Sequence, residues 1–263
     1  MRSPSALPYG IAFAAAIVAG VGYYAAVSAQ EQPRLDVIYV PTPDEVVNRM
    51  VELAEVTPKD RVVDLGCGDG RMVVAAAKRG AHGLGVDINP ERIKEANANA
   101  KEGGVTDLVE FRIGNLFEQD ISDRDVILMY LLTDINIRLR PKILETMKPG
   151  SRVVSHAFGM GDWKPDVRES VAHRTINVWI VPARIGGQWA IDGDTPVTVD
   201  LKQTYQMLEG KSADGATVTG RLRGTEVTLT IEADGKTREL KGKVEGEGQD
   251  ARIVGDGWSA KRA

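Results

Sequence analysis

Residues 62–70 read Val-Val-Asp-Leu-Gly-Cys-Gly-Asp-Gly, and they combine two carboxylates with three glycines at alternate positions. Val62 and Val63 end an apolar strand, and Arg71-Met72-Val73-Val74-Ala75-Ala76-Ala77 opens a helix. A strand, a glycine turn and a helix N-terminus form a cradle for a nucleoside ligand. Gly66, Gly68 and Gly70 let the backbone take φ > 0 and approach such a ligand closely. The spacing is D-x-G-x-G-x-G, with Asp64 leading and Asp69 inside the turn. It differs from the G-x-G-x-x-G of a pyrophosphate-binding turn. A third acid, Asp87, ends the next apolar run at about 20 residues beyond Gly66, the offset at which a carboxylate meets ribose hydroxyls. A carboxylate accepts two hydrogen bonds side by side, which suits a diol. Asn89 and Pro90 then supply a helix N-cap and a first helical residue, so Asp87 is not needed as a cap.

With these residues the chain resembles the class I S-adenosylmethionine (SAM)-dependent methyltransferases. The resemblance implies SAM as cofactor, with the turn Asp64, Gly66, Gly68, Asp69 and Gly70 facing its methionine part and Asp64 near its ammonium group. Asp87 would hold the ribose, and Ile88 would pack on the adenine face. In the segment Ile113-Gly114-Asn115-Leu116-Phe117, Asn115, beside Leu116, would offer its carbonyl oxygen to the adenine amino group. An Asn in a loop is also an ordinary turn residue.

Four separated segments carry a narrower similarity: Tyr39–Met50, the glycine turn, Asp125–Thr133 and Arg152–His156. Together they look like a family of protein-lysine methyltransferases that includes an archaeal enzyme of broad protein specificity and membrane-anchored mitochondrial enzymes. The similarity covers about residues 38–182. It implies protein lysine as the acceptor, with Tyr39 and Thr42 at the methionine end of SAM. Thr42 or Asp44 as a helix cap explains that segment nearly as well. Methyl transfer from a sulfonium is an in-line displacement that needs a neutral amine at near-attack distance. A lysine with a reference pKa of about 10.4 must first lose a proton, and an apolar channel favours that loss. Met129, Tyr130, Leu131 and Leu132 follow the fourth strand and could line the channel. Tyr130 could hydrogen-bond the amine or pack beside the methyl, whereas Leu128 and Leu132 read as core. His156 ends the fifth strand and could reach the substrate mouth, although a lone histidine there is more often structural; His82 and His173 read as structural or exposed. No His/Asp/Glu cluster has metal-ligand spacing, so no metal is expected.

The positioning elements alternate strand and helix over residues 35–183. The pattern predicts helix 43–55, strand 61–65, helix 70–79, strand 82–87, helix 90–102, strands 108–113 and 125–131, helix 134–147 and strand 151–157. A closing pair near 166–172 and 175–181 would complete the seven-stranded, Rossmann-like α/β sheet of class I methyltransferases. Residues 184–263 change to period-two alternation, which predicts strands at 187–191, 196–208, 216–222, 225–232, 236–245 and 250–259. Asp234-Gly235 is a hairpin turn. The expectation is an antiparallel meander, a small barrel or curved sheet, without a catalytic constellation. A chain ending at Arg184 is expected to fold and bind SAM without it.

The net charge of −4 leaves no basic footprint for nucleic acid. The single cysteine, Cys67, excludes an internal disulfide and reads as a small apolar filler. Residues 1–34 form a separate segment. Within it, positions 10–29 carry no charge and are long enough to span a bilayer, while Val27-Ser28-Ala29 resembles a signal cleavage site. The protein is therefore expected to be membrane-anchored, if the segment is uncleaved, or exported, and a membrane-associated protein is the expected substrate. Arg2 before the run and mixed charge after it favour an N-terminus inside and the catalytic domain outside, where the supply of SAM is unexplained. Two other readings remain open at this point: a small-molecule or lipid methyltransferase, and an exported binding protein without enzyme activity.

Overall fold

A computed structural model describes residues 39–193 and 196–263. The expected signal or anchor over residues 1–34 lies outside the described residues. Among those described, no helix is long and apolar enough to cross a membrane.

The alternating half of the chain folds as α1 (Asp44–Leu53), β1 (Arg61–Leu65), α2 (Arg71–Ala77), β2 (His82–Asp87), α3 (Pro90–Glu102), β3 (Val109–Ile113), β4 (Val126–Met129), α4 (Thr133–Thr146), β5 (Arg152–His156), β6 (Val167–Val171) and β7 (Arg174–Ile180). The seven strands run β3-β2-β1-β4-β5-β7-β6. All are parallel except β7, which pairs antiparallel with β5 and β6. Strand order reverses beside β1, and the carboxyl ends of strands at such a switch point form a ligand crevice. The buried runs Val126–Met129 and Val62–Leu65, apolar except for Asp64, reflect a sheet covered on both faces. One face packs Val46, Val47 and Met50 of α1 and Met72 of α2. The other packs Ile135, Leu139 and Ile143 of α4 together with Trp163 and Trp179.

The α3 helix begins as its sequence requires. The Asn89 side chain accepts from Glu91 N at 2.9 Å, with Pro90 at the first turn. The α1 helix does not. Its N-cap is Pro43, with no side-chain cap, so neither Thr42 nor Asp44 plays the capping role their types allow. Leu128 is fully buried as expected, but Leu132 is exposed. It stands just before α4, where the chain leaves the sheet, and so does not join the core.

The remaining strands are β8 (Gly187–Asp192), β9 (Val197–Thr204), β10 (Met207–Ser212), β11 (Thr217–Arg223), β12 (Glu226–Ala233), β13 (Lys236–Glu245), β14 (Arg252–Gly255) and β15 (Trp258–Arg262). Each pairs antiparallel with its neighbour in sequence, and β15 returns to β8 to close the barrel. Closure removes both sheet edges. The interior is filled by side chains including Trp189, Val199, Leu201, Leu208, Leu229 and Ile253, so the barrel is a packed core. Two expected strands are in fact hairpins. Residues 196–208 fold back at Tyr205-Gln206, and residues 250–259 fold back at Asp256-Gly257. Asp234-Gly235 does turn β12 into β13, with both residues at positive φ, 49° and 72°.

Candidate active site

Five strand ends and the segment before α1 bring the site together. After β1 the chain turns through Gly66, Gly68 and Gly70 with φ of 86°, 52° and 76°, a region side chains rarely enter. Gly66 N and Cys67 N both donate to Val86 O, at 2.8 and 2.9 Å, tying the turn to β2. Two glycines also make room for neighbours. A Cβ on Gly70 would meet Phe111 and Ala96 at 2.7–2.8 Å, and one on Gly68 would overlap the Tyr39 ring. Tyr39 therefore lies over the glycine turn, with the Arg92 guanidinium 4.5 Å from its ring centroid.

Three carboxylates surround this turn. Asp87 accepts from Gly68 N and from Asn89 N, each at 2.9 Å. Asp69 is held by Arg71 at 2.6–3.1 Å; burial raises its pKa, but the guanidinium bonds outweigh that and hold it below the usual carboxylate range. Asp64 is different. It is 2% exposed, and its Oδ1 has no hydrogen-bond partner. Burial, then the charges of Asp87 and Asp69, push its pKa well above the ordinary value. A buried carboxyl flanked by two more fits a cationic ligand better than an anionic one. SAM carries a sulfonium and an ammonium, so the residues present suit it. Cys67 is buried, and burial drives its thiol pKa upward. It is therefore a packing residue rather than a nucleophile.

Of the remaining expected cofactor residues, Ile88 is partly exposed beside Asp87. Asn115 caps a short 3₁₀ turn, its carbonyl oxygen accepting from Phe117 N at 3.0 Å, which leaves one lone pair for a ligand. Leu116 follows it and packs against the core.

At the ends of β4 and β5 stands a second group. Thr42 Oγ1 lies 3.0 Å from His156 Nδ1, a contact between residues 114 positions apart. The Tyr130 ring centroid lies 3.9 Å from that of His156, and the Phe158 ring stacks on Tyr130 at 5.9 Å. His156 is 1% exposed with Nε2 unpartnered. Burial, then the charge of Arg174, lower its pKa to about 4, so it is neutral at pH 7. Leu131 joins the two groups, since a Cβ on Gly66 would lie 2.9 Å from Leu131 Cδ2. Arg71 also donates to Thr42 O at 2.9 Å, a contact that its sequence position does not announce. The only local hint of Arg71 is its place two residues after Asp69. Among the described residues no group of His, Cys, Asp or Glu is placed to hold a metal ion.

The seven-stranded sheet with one reversed strand and the acid-lined glycine turn at its switch point define a class I SAM-dependent methyltransferase. Known proteins agree. Residues 64–167 match the family described as the ANTKMT methyltransferase domain. A protein-lysine N-methyltransferase of Saccharolobus islandicus is 46% identical over 149 residues, which are 54% of this chain and 92% of that relative. An ATP synthase lysine N-methyltransferase of Homo sapiens is 27% identical over 128 residues, 49% of this chain and 54% of its own. The crystal structure of an RNA methyltransferase from Salinibacter ruber in complex with S-adenosyl-L-homocysteine is 51% identical, with a TM-score of 0.54, over 56% of this chain and 96% of that one. The chain belongs to the SAM-dependent methyltransferase family of its Saccharolobus relative. It spans about half the length of the human relative. The matches to the Saccharolobus and Salinibacter proteins take up nearly all of those chains but little more than half of this one.

Proposed function

We propose that this enzyme transfers the methyl group of SAM to lysine side chains of protein. The observation that carries this reading is that Asp64, with its unpartnered oxygen just before the glycine turn, and the Thr42–His156–Tyr130 group stand at the carboxyl ends of the neighbouring strands β1, β4 and β5. The names of the Saccharolobus and human relatives support lysine as the acceptor. When bound, SAM supplies a methyl carbon activated by positively charged sulfur. On this reading Asp64 balances the cofactor's positive charge, Asp87 accepts from the ribose hydroxyls, and Ile88, Asn115 and Leu116 border the adenine. Tyr39 and Thr42 close over the methionine end. Tyr130 lines the acceptor side, where aromatic and aliphatic surroundings favour the neutral amine over the ammonium. Its ring packs against those of His156 and Phe158, so its hydroxyl can orient the amine without reorganisation.

The uncharged run at positions 10–29 supports placement at a membrane and a membrane-associated protein as substrate. A reporter fused to the C-terminus reads which side the catalytic domain faces.

The test is incubation of the full chain, in detergent, with methyl-labelled SAM and a membrane extract. Label in protein bands, recovered as methyl-lysine after hydrolysis, is expected. Label confined to lipid or small molecules would overturn the lysine reading. The Salinibacter relative, named as an RNA methyltransferase, favours a second acceptor, RNA. The net charge of −4 weighs against it, and label in added RNA but not in protein would decide for it.

A further inference from the structure

The Saccharolobus and Salinibacter relatives are too short to hold both the sheet and the barrel, and here one turn of the barrel reaches the acceptor side of the sheet. The β9–β10 hairpin turns at Tyr205-Gln206, with Tyr205 held at a φ of 55°. Gln203 holds the turn: its Nε2 donates to the carbonyls of Tyr205 and Ala183, and its Oε1 accepts from Ile185 N and Gly186 N. The Tyr205 ring stacks on Trp163 at 5.9 Å, and its hydroxyl donates to Asp162 at 2.9 Å. Gln206 donates to Lys164 O at 2.8 Å. Arg140 lies over the same Tyr205 ring, pairs with Asp162, and donates to Met160 O at 2.7 Å. Arg221 of the barrel pairs at 2.7 Å with Asp166, whose side chain is nearly buried.

The partners of Tyr205, Gln206 and Arg221 lie in residues 157–166, the segment that leaves β5 after His156, and Arg140 packs against it. Its first turn carries Phe158, which stacks on Tyr130 and whose carbonyl accepts from Ser155 Oγ at 2.8 Å. We propose that the barrel sets the acceptor side of the methyl-transfer site through its Tyr205-Gln206 turn, which pins segment 157–166 and thereby the Phe158 and Tyr130 rings. Tyr205 is a positioning residue in this scheme. The proposal rests on the reading above in that Tyr130 borders the acceptor. The SAM turn lies at the ends of other strands, so cofactor binding is expected to be independent of Tyr205.

The experiment compares the full chain with Tyr205→Ala, Tyr205→Phe and Gln206→Ala. Hydrogen exchange is measured over residues 157–166 and 64–70, SAM affinity by calorimetry, and methyl-lysine formation against increasing membrane extract. Tyr205→Ala should speed exchange at 157–166 at least tenfold with no change at 64–70. It should also raise the half-saturating extract concentration at least fivefold and leave SAM affinity within twofold. Tyr205→Phe, which keeps the stack, should restore acceptor dependence to within threefold of the parent. Gln206→Ala should show the same pattern at smaller amplitude, and it decides the matter if Tyr205→Ala does not fold. Unchanged exchange at 157–166, or a parallel loss of SAM affinity, would overturn the proposal. If the parent chain labels no protein, the lysine reading falls, and the exchange measurement still decides whether the barrel holds the segment.

Discussion

The sheet and the barrel treat buried polar groups in opposite ways. In the sheet region Asp64 Oδ1, Asn136 Oδ1, His156 Nε2 and Trp163 Nε1 are buried without a hydrogen-bond partner. Among the described residues the barrel has no such side-chain atom. Its interior is apolar, and its indoles are satisfied: Trp189 Nε1 donates to Ile185 O at 2.7 Å and Trp258 Nε1 to Lys241 O at 3.0 Å. An unsatisfied buried polar group costs about 1–3 kcal/mol. Two of the four, Asp64 and His156, stand at the carboxyl ends of β1 and β5, where a ligand could complete them. The contrast separates a region built around a site from one built for packing.

The largest effect that would break this comparison is in the barrel. Trp189 is fully buried, and Trp189→Ala should destabilise the protein by about 3–5 kcal/mol through the cavity it leaves. Denaturant unfolding measures this, while SAM affinity of the folded fraction should not change. Loss of affinity in that fraction would mean that the barrel is part of the cofactor site. Next comes Asp64→Asn, which keeps the shape and removes the charge. It should weaken SAM binding by about 3 kcal/mol, a charge-assisted contact, yet leave the free protein as stable as before or more so. Calorimetry and thermal unfolding check the two signs together, and equal SAM affinity would remove Asp64 from the site. Asp87→Ala should weaken SAM by about 1.5–3 kcal/mol through lost charge-assisted bonds; it also removes the acceptor of Gly68 N.

Smaller effects sharpen the comparison. The folded-state pKa of His156 is depressed from 6.5 to about 4, so the unfolded chain takes up its proton first. The stability contributed by keeping His156 neutral is fully present above about pH 6.5 and is lost as pH falls toward 4. His156→Asn retains a partner for Thr42 and should flatten this part of the stability profile; an unchanged slope would assign it to other groups. Tyr130→Phe should lower turnover more than SAM affinity, because a hydroxyl that orients the amine acts mainly in the transition state. Equal turnover would leave Tyr130 a packing ring.

Much of the methyltransferase half was legible. The bounds of β1, β2 and α3 coincide with the expected 61–65, 82–87 and 90–102, because Val-rich runs, glycine turns and the Asn89-Pro90 start are local signals. The Asp256-Gly257 hairpin carried its signal too, and the alternation around it masked the turn. The Tyr205-Gln206 turn had none. Neither residue type favours it, and Tyr205 is held at positive φ by Gln203 and by the stack on Trp163. Leu132 looked like core because the apolar run did not show where the strand ended.

The sequence by itself determined the glycine turn, the acid that ends β2, the order of strands and helices, and the change to period-two alternation near residue 184. Each follows from backbone freedom, capping or side-chain period within a few residues of chain. Only the tertiary structure decided that Thr42 partners His156, that Asp64 is buried with an oxygen to spare, that the barrel closes, and that Tyr205 reaches Trp163. These depend on contacts between distant residues, which packing and burial select and no short window of sequence records.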